Sequence, residues 1–186
     1  MRKLILSATV ALALAIPVAA ANVAGVNMED KVTIGTQTLV LNGAGLRKKF
    51  VIKVYVGGLY LPSKQASAAT IIATDQPRRM VMHFLYSVSK SQMAEAWNEG
   101  LTDNTPKASP EVKTAFKTLE GWMEDVPKGN RIVLTYVPGT GTTVEVNGKS
   151  KGTLGGKAVS DAILNTWLGP DPAPGADFKK AVLGGK

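Results

Sequence analysis

Residues 43–61 read Gly-Ala-Gly-Leu-Arg-Lys-Lys-Phe-Val-Ile-Lys-Val-Tyr-Val-Gly-Gly-Leu-Tyr-Leu, ended by Pro62 and Ser63. From Leu46 onward apolar and polar side chains alternate. Phe50, Ile52, Val54 and Val56 fall on one parity, and Arg47, Lys49, Val51, Lys53 and Tyr55 on the other. That period predicts a long β-strand over 46–61 with a core face and a more polar face. Gly43-Ala44-Gly45 reads as the break before it, and Val32, Ile34 and Leu39 to Leu41 flank Gly35-Thr36 as a preceding hairpin.

Outward from this stretch the pattern changes twice. Ala66 to Ala73 reads as a short helix, and Arg79 to Tyr86 as a central strand apolar on both parities. Ser89 with Gln92 is a capping box that opens a helix reaching about Leu101. Ser109-Pro110-Glu111 starts another, with Val112, Phe116, Leu119 and Met123 on one stripe. Ile132–Val137, Thr142–Val146 and Thr153-Leu154 form a meander turned by Pro138-Gly139-Thr140-Gly141 and Asn147-Gly148. Val159 to Leu168 and Asp177 to Leu183 are closing helices. Strands, helices, strands, helices in that order give an α+β fold with a mostly antiparallel sheet.

The N-terminus carries Met1-Arg2-Lys3, an apolar run from Leu4 to Ala20 and small residues before Asn22. This is the pattern of a secretory signal peptide over residues 1–21, leaving one domain over 22–186 and placing the protein in the periplasm. The alternative is a retained anchor, since Leu4 to Ala21 is 18 residues, a borderline span.

Composition removes much familiar chemistry. The 186 residues contain no cysteine and one histidine, His83. Disulfides, thiolate metal sites, cysteine nucleophiles and any centre needing two imidazoles are excluded, and no metal or cofactor is expected. The net charge of +8 is scattered, without the aromatic interleaving of a nucleic-acid surface. An anionic small ligand or peripheral contact with an anionic membrane suits it better, and general solubility explains it as well.

Individual motifs are weak. Gly148-Lys149-Ser150 lacks the first glycine of a phosphate loop, because Thr143 stands there. Gly43-Ala44-Gly45 lacks the third glycine of a dinucleotide fingerprint. Glu95 and Glu99 read as an exposed helix pair, and His83, between Val81 and Leu85 on its strand face, as a hydrogen-bonded core histidine. Ser87, Ser89 and Ser91 have no nucleophile-elbow context.

Arg47 and Tyr55 remain. A guanidinium fork suits a carboxylate or phenolate, and a nearby phenol adds a donor. Eight residues of straight strand span about 26 Å, too far for one anionic group. A shared site therefore requires the chain to turn or bulge between Lys48 and Val51; otherwise Arg47 acts without Tyr55.

Gly43-Ala44-Gly45-Leu46-Arg47 and Lys53-Val54-Tyr55-Val56-Gly57-Gly58-Leu59-Tyr60-Leu61 resemble the N-terminal signature of the chalcone isomerase-like family. Arg79 to Tyr86, Tyr136-Val137-Pro138-Gly139, and Lys157 through Thr166-Trp167-Leu168-Gly169 resemble its middle and C-terminal half. The likeness spans nearly all of residues 30–184 and is closest to the exported bacterial branch. It implies an open-faced β-sandwich, a large antiparallel sheet packed by a helical layer with a ligand cleft between them.

In the enzymes of that family a chalcone closes to a flavanone without a cofactor, and an arginine at the Arg47 position steadies the anion. Thr166 matches a cleft threonine. Tyr55 stands where the plant enzymes carry threonine, and their active-site tyrosine and asparagine fall near Lys90 and Trp97. Trp167 replaces a smaller aliphatic or methionine. The non-catalytic plant branch binds fatty acids with an arginine and a tyrosine, which Arg47 and Tyr55 resemble more closely.

The resemblance thus implies a small amphipathic anion held by Arg47, Tyr55, Thr166 and Trp167. Two alternatives stay open. One is an isomerase or intramolecular lyase using Arg47 and Thr166. The other is a protein-interaction module with a closed cleft, Arg47 paired to an acid, and an exposed apolar patch near Trp122 or Trp167.

Overall fold

The computed structural model describes residues 21–185. The leader expected over residues 1–21 lies outside the described residues except for Ala21, the first residue of strand β1 (Ala21–Val23). β1 pairs with β2 (Val26–Met28) as a small separate hairpin. Its turn is Ala24-Gly25, both at positive φ of 51° and 85°, the conformation that suits the right-handed twist of paired strands. The sequence reading assigned no strands here.

The main sheet is an antiparallel meander of seven strands in sequence order: β3 (Lys31–Ile34), β4 (Gln37–Lys49), β5 (Ile52–Leu61), β6 (Arg78–Phe84), β7 (Arg131–Val137), β8 (Gly141–Val146) and β9 (Lys149–Leu154). Helices α1 (Ala68–Ala73), α2 (Lys90–Asn104), α3 (Pro110–Trp122), α4 (Lys157–Leu168) and α5 (Ala176–Val182) complete the order. The helices bury their apolar residues with Leu59, Met80, Met82, Phe84, Ile132 and Leu134 of the sheet. On the opposite face Val26 and Met28 close over Leu39, Leu41, Val56 and Tyr60. This is the α+β open-faced sandwich that the sequence implied.

The decisive stretch folds differently in detail. There is no single strand over 46–61. β4 runs straight through Gly43-Ala44-Gly45 to Lys49, turns at Phe50-Val51, and returns as β5. Phe50 and Ile52, expected on the core face, are 92% and 41% exposed. Alternation continues through so tight a turn, and Phe-Val carries none of the usual turn residues, so the reversal leaves no mark on the period.

The glycines have another use. Gly43, Gly45 and Gly57 leave a trough on the helix-facing side into which α5 settles, and a Cβ on Gly45 or Gly57 would meet the Phe178 ring. Asn42 is the extra residue of a bulge between Leu41 and Gly43. Its amide donates to the Val182 carbonyl (2.8 Å) and the Gln65 carbonyl (3.0 Å), and accepts from Gln65 N–H (2.7 Å). The bulge aims one polar side chain at the end of α5 and the loop after β5.

Elsewhere the local signals hold. The capping box at Ser89 and Gln92 is formed, and α2 extends to Asn104. Asn147-Gly148 turns with both residues at positive φ. β9 is longer than Thr153-Leu154 and begins at Lys149, since an edge strand tolerates Lys149 facing water while Lys151 pairs with Glu124 at 2.7 Å. Arg78, 3% exposed, joins β6 to α4 through Ser160 and Asp161, and stacks on Tyr136.

Candidate ligand cavity

A second bulge creates the central arrangement. Lys48 pairs with Lys53, but Arg47 pairs with Tyr55, leaving Val54 as the extra residue. The turn at Phe50-Val51 and this bulge together bring Arg47 and Tyr55 opposite each other, both on the helix-facing side. Cross-strand partners have Cβ atoms about 5 Å apart. The span that a straight strand would impose is thus removed.

The pair lines a cavity of about 350 Å³, within the range of small-molecule pockets. Its apolar wall comes from Met82 and Phe84 of β6 and Met93 and Trp97 of α2, while Thr166 and Trp167 of α4 close a further side. All four residues singled out from the sequence, Arg47, Tyr55, Thr166 and Trp167, therefore border one space. Exposed lining residues, among them Phe50, Ile52, Tyr86, Gln92 and Glu95, mark its mouth. The closed cleft considered as an alternative is not what the chain forms.

Arg47 is half-buried and donates to the Ala173 carbonyl in the α4–α5 connection. Among the described residues no carboxylate pairs with it. A guanidinium has five N–H donors in a planar fork, so most of its capacity is uncommitted.

Tyr55 is 5% exposed, and its hydroxyl oxygen accepts a hydrogen bond from the Trp167 indole N–H at 3.0 Å. Burial pushes the phenol above its ordinary value of 10.0, while the Arg47 charge and the indole hydrogen bond pull the other way. Tyr55 is thus a neutral phenol at physiological pH, able to donate its own proton to an acceptor. Phe84 and Phe178 flank its ring at 5.5 and 5.8 Å.

Trp167 is buried and cannot supply an exposed apolar patch; Trp122 packs partly against the core. The large exposed apolar side chains are instead Phe50, Val51, Ile52 and Tyr86. Trp167 stacks edge-on against Trp97 at 5.5 Å. Among the described residues the buried Thr166 hydroxyl has no hydrogen-bond partner, while its methyl presses on Gly100 of α2.

The positions matched to the enzymes' tyrosine and asparagine do not bring acid–base groups to the cavity. Lys90 is exposed at the start of α2 and does not line it. Trp97 does line it, but its indole N–H is turned to the Met123 sulfur at 3.3 Å. His83, expected in the core, is half-buried on the opposite face of the sheet, where its Nδ1 accepts from Arg131 Nε at 3.2 Å. Its neighbours on that face are only partly covered, because the β1–β2 hairpin sits mainly over β4 and β5.

The sequence reading missed Met93, Phe84 and the Ala173 carbonyl. Met93 and Trp97 share the buried stripe of α2, so their spacing carried a signal. A backbone carbonyl carries none.

Among curated proteins, none matches the sequence. Among solved structures, the crystal structure of a fatty-acid binding protein of Arabidopsis thaliana matches with a TM-score of 0.66 at 18% identity, covering 86% of this chain and 92% of that one. At that identity the likeness is one of fold. The family profile described as chalcone isomerase-like matches residues 20–184, from the edge of β1 to beyond α5. That profile covers most of the chain, and the chain belongs to the chalcone isomerase-like family.

Proposed function

We propose that this protein is a non-catalytic periplasmic binder of a small amphipathic anion, a fatty acid or similar carboxylate, with Arg47 as the anion clamp. The observation that carries the reading is the Arg47 guanidinium, without a carboxylate partner among the described residues, bordering an otherwise largely apolar cavity. A cation flanked by a neutral phenol favours a carboxylate head, and the apolar wall favours an aliphatic tail. The fatty-acid binding protein that shares the fold supports the same class of ligand.

Export rests on the basic and apolar N-terminal pattern of residues 1–21. Lys90 lies outside the cavity and the Trp97 indole N–H is turned to Met123, so these two positions bring no proton-transfer group to a ligand, which weighs against isomerase chemistry and its proton transfer during ring closure.

The test is native mass spectrometry with lipid extraction of the protein purified from its own periplasm, beside Arg47→Ala. A carboxylate lipid on the wild type that is lost in the variant is the expected result. An empty wild type that also takes up no added palmitate would sink the proposal.

A further inference from the structure

The β4–β5 turn does something its fold does not require. Two-residue hairpin turns with positive φ at the first central position alone ordinarily place glycine there. Here the residue is Phe50, at φ 54°, an uncommon conformation for a bulky side chain. Phe50 and Val51 are 92% and 94% exposed, and Ile52 and Tyr86 extend the apolar surface. Tyr86 is held beside this end of β5 by its N–H bond to the Val54 carbonyl at 3.2 Å.

Three exposed lysines, Lys48, Lys49 and Lys53, flank the tip. No acidic residue occurs in the sequence between Asp30 and Asp75. The acids bordering the mouth, Glu95 and Glu99, belong to α2 across the opening. The hairpin side is thus an apolar point within a cationic collar, and it forms part of the cavity mouth.

We propose that the Phe50-Val51 tip docks the protein on an anionic lipid bilayer, with Phe50, Val51 and Ile52 entering the interfacial region and the lysines meeting lipid headgroups. Apolar side chains that enter acyl chains beside lysines that meet anionic heads are the two halves of peripheral membrane binding. Tyr86, with an apolar ring and a polar end, suits the same depth. The mouth would then face the surface from which a lipid ligand comes; that last point rests on the function proposed above, and the docking itself does not.

The experiment is flotation of the mature protein with vesicles of equal parts phosphatidylglycerol and phosphatidylethanolamine, compared with phosphatidylcholine. The chain has no cysteine, so Val51→Cys gives a unique position for an environment-sensitive fluorophore. Its emission should shift to the blue on anionic vesicles and return in about 0.5 M salt, where screening is short-ranged.

Lys48→Glu with Lys53→Glu should weaken partition more than tenfold, since each lysine near such a surface contributes about fivefold. Val51→Asp should abolish it. Lys48, Val51 and Lys53 do not line the cavity, so these variants should keep their unfolding midpoint and their vesicle-free uptake of palmitate. Arg47→Ala should show the reverse, losing palmitate and keeping vesicles.

Absence of wild-type flotation, equal binding to phosphatidylcholine, or unchanged binding by Val51→Asp would overturn the docking. So would concentration-dependent self-association lost in Val51→Asp without vesicle binding, which would assign the tip to a second copy of the chain. Failure of palmitate uptake alone would sink the carrier reading and leave the docking standing.

Discussion

Arg47 and Tyr55 face each other across β4 and β5 because a tight turn and a one-residue bulge lie between them. One cation and one neutral phenol thereby share a cavity wall, although the chain between them would hold them far apart if extended. The arrangement depends on register, and its consequences can be separated by substitution.

Arg47→Ala should weaken binding of palmitate about tenfold to a hundredfold, as expected for loss of a charge-assisted hydrogen bond. Arg47→Lys should recover only part of it, since an ammonium lacks the planar fork. Displacement of a fluorescent fatty acid measures both. Burial holds the Tyr55 phenol protonated, so affinity should be flat between about pH 7 and about pH 9.

Tyr55→Phe removes the acceptor of the buried Trp167 N–H. It should cost about 1–3 kcal/mol in urea unfolding, the range for a stranded buried donor, besides lowering affinity. A variant as stable as the wild type would show that the indole finds another partner.

Thr166→Val replaces a buried hydroxyl that has no partner among the described residues with an apolar group of like shape. Stability without ligand should stay equal or rise by about 1 kcal/mol. If the hydroxyl is kept for a ligand, palmitate affinity should fall severalfold, and unchanged affinity would remove Thr166 from the site.

Gly57→Ala places a methyl group against the Phe178 ring. A loss of about 1–3 kcal/mol is expected from overpacking. Phe178→Leu in the same chain should return part of it, and additive losses in the double variant would disprove the contact.

His83 lies below its ordinary pKa of 6.5, through burial first and the Arg131 charge second. The unfolded chain therefore takes up a proton before the folded one, and the contribution to stability is lost as pH falls below about 6.5. His83→Gln should flatten the unfolding midpoint between about pH 7 and about pH 5.5 relative to the wild type. Being the chain's one histidine, its imidazole resonances can also be followed directly by NMR, and a pKa at or above 6.5 would refute the assignment.

Much of this was legible without coordinates. The strands and helices after Leu61, the caps at Ser89 and Ser109, and the Asn147-Gly148 turn are local, each written in a few neighbouring residues. The candidate residues Arg47, Tyr55, Thr166 and Trp167 came from residue chemistry and from family likeness. Where the reading failed, a tertiary cause stands behind it. Gly43-Ala44-Gly45 looked like a break because the glycines' partner is α5, more than a hundred residues later in the chain. His83 looked like core because its neighbours are apolar, yet the covering hairpin lies over other strands.

The sequence by itself determined the fold class, the order of elements after Leu61, and the exclusion of thiol and multi-histidine chemistry, because those depend on periodicity and composition. Tertiary structure alone decided that Arg47 meets Tyr55, that Trp167 turns inward to hold the phenol, and that Phe50 and Val51 stand in solvent. Each of these follows from where one strand reverses and where one residue bulges. A period-two pattern is blind to both, since it records which side a residue faces and not which residue lies opposite it.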